Sequence, residues 1–149
     1  MPPLTISLPD LAATATLAGR IAVLLRPGDA VLLEGPLGAG KTALARALLR
    51  ALLRDQALEV PSPSYTLVQL YDTPAGPVQH YDLWRLDGPG PLAELGWEDA
   101  QDGIVLVEWP DRLGALRPDD ALTVALAHGE GDARRATLSG WPDRLGSFA

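Results

Sequence analysis

A chain of 149 residues is long enough to bury about 70% of its extended surface, which points to a single domain over residues 1–149. Hydrophobic content of 47% with 21% charged residues is that of a globular protein, and neither a membrane-spanning apolar run nor a basic leader is expected. A net charge of −7 argues against bulk electrostatic binding of nucleic acid, and zero cysteines exclude disulfides and thiolate metal sites, leaving the cytoplasm as the expected compartment.

In chain order, Asp10 is a natural N-cap for a helical pattern from Leu11 to about Leu25, which Pro27-Gly28 stops. Ala30 to Leu33 is a short apolar run of the kind that forms a buried strand. Gly35-Pro36-Leu37-Gly38-Ala39-Gly40-Lys41-Thr42 follows, a complete match to the phosphate-binding pattern G-x-x-x-x-G-K-[ST]. Lys41 is the only lysine in the chain; every other basic side chain is arginine. The compact ammonium stands where a point charge is needed between the β- and γ-phosphates of a nucleotide. A helix from Ala43 to Arg54 completes the strand–loop–helix context that the pattern requires.

Arg46, Arg50 and Arg54 recur along one face of that helix, and a solvated face is expected of them rather than a partner or RNA contact. Val60 to Ser64 is too proline-rich for a regular element and leads into a strand from Tyr65 to Tyr71. A turn at Thr73 to Gly76 and a strand from Val78 to about Trp84 make an antiparallel hairpin. A short helix is expected from Leu92 to about Ala100. Ile104 to Val107 is a continuous apolar run that suits a strand buried on both faces beside the phosphate-loop strand. Ala121 to Ala127 and Ala133 to Leu138 are the last strand candidates. The hexapeptide Trp-Pro-Asp-Arg-Leu-Gly occurs at Trp109 to Gly114 and again at Trp141 to Gly146; only the first follows an apolar strand ending in an acid. The second reads as a coincidence or a packing tail.

A phosphate loop needs an acid at a neighbouring strand end to hold Mg²⁺ or its water, and Glu108 is in that place. Strand alternation puts His80, Asp82 and Trp84 on one face and Tyr81, Leu83 and Arg85 on the other. Asp82 is therefore the second candidate acid, Arg85 is disfavoured as a phosphate contact, and His80 reads as a sheet residue rather than a metal ligand. Pro110 breaks the strand after Glu108 and can release Trp109 toward the site. Ser62, Ser64 and Thr66 either form a nucleotide-ordered switch or bond their own backbone in a turn.

Together, Gly35 to Thr42, Ser62-Pro63-Ser64-Tyr65-Thr66-Leu67-Val68, His80-Tyr81-Asp82-Leu83-Trp84-Arg85-Leu86 and Val107-Glu108-Trp109-Pro110 resemble the bacterial TsaE family. The order and spacing of these four motifs cover nearly the whole chain. The resemblance implies an α/β, P-loop NTPase-like, three-layer fold with a mixed central sheet that includes an antiparallel hairpin. It implies ATP and Mg²⁺ binding, slow hydrolysis, and action on the TsaB–TsaD pair in tRNA threonylcarbamoyladenosine biosynthesis, with tRNA met through that complex. Carried over by position, Gly38, Ala39, Gly40, Lys41, Thr42 and Ala43 hold nucleotide, and Thr42, Glu108 and Asp82 serve the metal. Lys41, Glu108 and Asp82 carry the chemistry, Trp109 lines the site, and Thr14 falls beside the adenine.

The chain departs from the family pattern at Pro36, Ser64 and Trp84, where aspartate, threonine and tyrosine are usual; none of these changes removes an expected ligand. Two other readings share the loop, a nucleotide-dependent binding module with negligible turnover and a small-molecule kinase. The glycine- and proline-rich stretch from Asp87 to Gly96, which contains no arginine, disfavours the kinase.

Overall fold

The computed structural model describes residues 3–63 and 65–148. Its strands are β1 Leu4–Leu8, β2 Ala30–Glu34, β3 Val68–Thr73, β4 Gly76–Asp82, β5 Ile104–Glu108, β6 Leu122–His128 and β7 Arg134–Ser139. Helices α1 Leu11–Ala22, α2 Lys41–Leu53 and α3 Trp97–Ala100 are joined by short 3₁₀ segments at Gly90–Leu95, Pro110–Leu116 and Leu145–Phe148.

The strands form one sheet in the order β1-β7-β6-β2-β5-β4-β3. β2 runs parallel to β5 and β6, and β4 parallel to β5. The β3–β4 hairpin and the β1–β7 and β6–β7 pairs are antiparallel, so the sheet is mixed. β2 and β5 occupy the middle, which is why neither carries a polar residue before its last position: every residue from Ala30 to Leu33 and from Ile104 to Val107 is buried.

Alternation along the strands builds two cores. Val31, Leu33, Val78 and Leu106 meet Leu17 and Ile21 of α1 and Leu44 and Leu48 of α2. Leu32, Tyr81, Val105 and Val107 meet Leu92, Trp97 and Leu113 on the opposite side. The result is the three-layer α/β arrangement that the sequence implied. Each fully buried Leu or Val contributes roughly 1.5–3 kcal/mol relative to exposure. His80, Asp82 and Glu108 continue the same alternation on the α1–α2 face, which brings them under the start of α2.

Several boundaries differ from the sequence expectation for identifiable reasons. α1 ends at Ala22 because the chain tightens into turns, with Leu24 N bonding Ile21 O at 3.0 Å and Leu25 N bonding Ala22 O at 3.2 Å. β3 begins at Val68 instead of Tyr65, since Leu67 takes a left-handed conformation (φ 70°) and bonds back to Pro63 O at 2.6 Å. β4 stops at Asp82, and the helix expected from Leu92 to Ala100 is divided at Gly96 (φ 76°). β1 was not anticipated: it is a five-residue edge strand closed by Pro9, and its alternating Leu4, Ile6 and Leu8 gain meaning only against β7.

The arginine stripe along α2 is a solvated face only at its end, where Arg54 is exposed. Arg46 Nε reaches Val60 O at 3.5 Å and Arg50 Nε reaches Leu58 O at 2.9 Å, so two half-buried guanidiniums hold the connection between α2 and β3 against the helix.

Candidate nucleotide site

β2 delivers the chain to Gly35 at its carboxyl end, and α2 starts at Lys41. The six-residue passage between them carries glycine at three positive-φ positions, Gly35, Gly38 and Gly40. A Cβ on Gly35 would lie 2.5 Å from Leu126 O, and Gly40, the residue before the helix, sits at φ 104°. The first turn of α2 therefore presents free backbone N–H groups and the positive end of the helix dipole at the carboxyl edge of the parallel strands, where α/β sheets bind ligands.

The described residues include five buried polar or charged side chains: Thr14, Lys41, His80, Asp82 and Glu108. Lys41, Asp82 and Glu108 line a cleft of about 280 Å³ over the loop, together with Gly38, Gly40, Thr42, Ala43, Ser62, Trp84 and Trp109. Thr14 lines a smaller opening of about 150 Å³ with Ala39, Gly40 and Ala43. Gly40 and Ala43 border both spaces, so the two meet across the start of α2 and make a track suited to an elongated anionic ligand. Larger hollows beside Arg117 (550 Å³) and between the far ends of α1 and α2 (450 Å³) contain none of these five side chains.

Lys41 Nζ donates to Gly35 O at 2.6 Å and Pro36 O at 2.9 Å and lies 4.0 Å from the centre of the Trp109 ring. Burial lowers its pKa, and the nearby Glu108, Asp82 and Asp111 carboxylates oppose that shift. Thr42 Oγ1 donates to Glu108 Oε1 at 2.7 Å, and His80 Nε2 meets Glu108 Oε2 at 2.7 Å, so both oxygens of this buried carboxylate are engaged. Asp82 is the register partner of Glu108 across the parallel β4–β5 pair, and its Oδ1 accepts from Trp84 N at 3.1 Å. Trp109, in a left-handed conformation (φ 62°), turns back over the loop and lies 4.4 Å from the Trp84 ring centre.

Lys41, Thr42, Asp82, Glu108 and Trp109 are thus brought together at one cleft, and Thr14 to the start of α2 beside it. Ser62 and Ala43 border the same cleft, whereas Ser64 lies outside the described residues. Arg85 is exposed, beyond the end of β4, with its guanidinium 5.4 Å from the Tyr65 ring centre. Two features escaped sequence reasoning. One is the His80–Glu108 bond, which depends on the register of β4 and β5. The other is the β6–β7 turn, which brings Asp132 and Arg134 to the Thr14 opening and sets an Arg134 nitrogen 3.4 Å from Gly38 O. The Arg134-Arg135 pair carries no local signal of that placement.

This fold and this loop define a nucleotide-binding protein of the P-loop class. The chain belongs to the TsaE family: the model described as threonylcarbamoyl adenosine biosynthesis protein TsaE matches residues 8–136. A Rickettsia felis protein named tRNA threonylcarbamoyladenosine biosynthesis protein TsaE is 40% identical over 114 residues, covering 76% of this chain; the chain spans 66% of that relative's length. A Nostoc protein of the same name is 34% identical over 139 residues, or 90% of this chain and 84% of its own. The crystal structure of Bacillus subtilis YdiB shares the fold with a TM-score of 0.74 at 24% identity, over 97% of this chain and 90% of that one.

Proposed function

We propose that the chain is an ATP hydrolase of tRNA threonylcarbamoyladenosine biosynthesis in the cytoplasm, slow by itself and stimulated by the TsaB–TsaD pair. The observation that carries the reading is the gathering of Thr14, Lys41, His80, Asp82 and Glu108, all buried, around a complete phosphate-binding loop. The names of its relatives support the pathway, and the sequence resemblance supports the partners.

In this reading the backbone from Gly38 to Ala43 cradles the phosphates, and Lys41 exchanges the Gly35 and Pro36 carbonyls for phosphate oxygens. Thr42, Glu108 and Asp82 offer a hydroxyl and two carboxylates, a hard all-oxygen set that fits Mg²⁺. Mg²⁺, when bound, would neutralise charge developing on the β- and γ-oxygens. Glu108 orients the attacking water, Trp109 walls the cleft, and Thr14 lies on the adenine side of the track.

Among the described residues no arginine lines the cleft that holds Lys41. Without an arginine on the transferring phosphate, turnover is expected at about 10⁻⁴ to 10⁻³ s⁻¹, with room for an about 10³- to 10⁵-fold gain if a partner supplies one. ATP turnover measured alone and with TsaB–TsaD, using Lys41→Ala as the blank, tests this. Stimulation that vanishes in the blank supports the hydrolase, and fast partner-free turnover contradicts it. Nucleotide-dependent partner binding without turnover in any mixture would replace it by the binding-module reading. Glu108→Ala should depress hydrolysis more than nucleotide binding; unaltered turnover would remove Glu108 from the chemistry.

A further inference from the structure

Of the five buried polar side chains, His80 has no part in the mechanism above. It is fully buried in the α1–α2 face of β4, between Val78 and Asp82 in the alternation, at a depth where Val78 and Leu106 show that apolar side chains pack. Packing alone would place Leu or Val there. Its Nε2 is 2.7 Å from Glu108 Oε2, and because an ionised carboxylate only accepts, Nε2 carries the hydrogen. Its other nitrogen, Nδ1, is buried with no hydrogen-bond partner among the described residues. A buried polar atom left unmatched is costly and calls for an explanation, and here the other ring nitrogen supplies it.

We propose that His80 is the positioning residue of Glu108. By holding Oε2, it leaves a single oxygen, Oε1, facing Thr42 and the cleft, and it prevents the carboxylate from turning to offer both oxygens at once. This deepens the ATP-hydrolase reading and rests on it. Outer partners of this kind, hydrogen-bonded behind a ligand, typically change metal affinity or activity by about 10- to 100-fold when removed. The restriction also favours Mg²⁺ over Ca²⁺, since calcium accepts bidentate carboxylates and flexible geometry whereas magnesium does not.

The test compares parent, His80→Leu, His80→Gln and His80→Asn in the full chain, with binding of a non-hydrolysable ATP analogue followed by tryptophan fluorescence against added Mg²⁺ or Ca²⁺. His80→Leu should raise the Mg²⁺ requirement about 10- to 100-fold, leave metal-free analogue binding unchanged, and lower kcat more than it raises KM. Its preference for Mg²⁺ over Ca²⁺ should shrink. His80→Gln, whose amide nitrogen can take the place of Nε2, should recover most of the loss, while the shorter His80→Asn should not. If His80→Leu does not fold, the Gln and Asn pair decides. Equal Mg²⁺ requirements in Gln and Asn, or a Leu variant that matches the parent, would overturn the proposal. Analogue binding by the parent that ignores Mg²⁺ altogether would instead sink the metal-site reading itself, and His80's role with it.

Discussion

The two copies of Trp-Pro-Asp-Arg-Leu-Gly are the same peptide in two settings. In both, the tryptophan is left-handed (φ 62° at Trp109, 47° at Trp141), and the arginine N–H turns back to the tryptophan carbonyl, at 3.2 Å from Arg112 and 2.9 Å from Arg144. Both leucines are buried, Leu113 at 0% and Leu145 at 1% exposure. Beyond the backbone the copies part. Trp109 leans over Lys41 and against Trp84, whereas Trp141 is buried in the α1–α2 core with Leu145 and Phe148. Arg112 pairs with its neighbour Asp111, but Arg144 crosses the fold to grip Asp29 with two bonds of 2.7 and 2.9 Å and also reaches Leu24 O. Six residues set a local turn; the strand that precedes them sets what the turn does.

Separating the two tryptophans should give the largest effect. Trp141→Ala empties a core position and should cost about 3–5 kcal/mol in urea denaturation, with analogue affinity per folded molecule unchanged. Trp109→Ala should cost less stability and should weaken analogue binding roughly three- to tenfold, the scale of a lost cation–π wall. Equal stability losses with equal affinities would erase the distinction between the copies.

The arginines come next. Arg144→Ala leaves Asp29 without its bidentate partner in a mostly buried setting and should cost about 3 kcal/mol. Arg112→Ala removes a pair whose acid is largely exposed, and a loss under about 1 kcal/mol is expected. Denaturation midpoints of the two variants side by side check this, and a reversed order would refute it.

The smallest and cleanest contrast lies in the closing glycines. Gly114 sits at φ 53° and ψ −126°, a region hostile to any side chain, so Gly114→Ala should cost roughly 1–3 kcal/mol. Gly146 has no positive φ and open space around its absent Cβ, so Gly146→Ala should be neutral or stabilising by up to about 1 kcal/mol. Thermal melts of the pair measure both. Matching losses would mean that the hexapeptide requires its last glycine for a reason internal to itself.

The same division runs through the whole chain. The phosphate loop, its helix and the strands around Leu32 and Leu106 were legible, because a continuous apolar run or a glycine-lysine pattern acts through neighbouring residues. Glu108 was legible as the first polar residue after such a run. The hydrogen bond from Arg50 to Leu58 was not, since helical spacing predicts a shared face but not what covers it. Nor was β1, whose three alternating leucine and isoleucine residues are too few to signal a strand before β7 pairs with them.

The sequence by itself determined the backbone dialect of this protein: where the loop turns, where α1 starts behind its Asp10 cap, and that both tryptophan–proline pairs bend the same way. Those are short-range matters of sterics and hydrogen bonding between residues a few positions apart. Tertiary structure alone decided that His80 meets Glu108 across 28 residues, that Arg134 returns to Gly38 across 96, and which tryptophan faces Lys41. Such choices follow strand register and the burial of distant surfaces, and a single slip in register would turn His80 and Asp82 to the opposite face of the sheet.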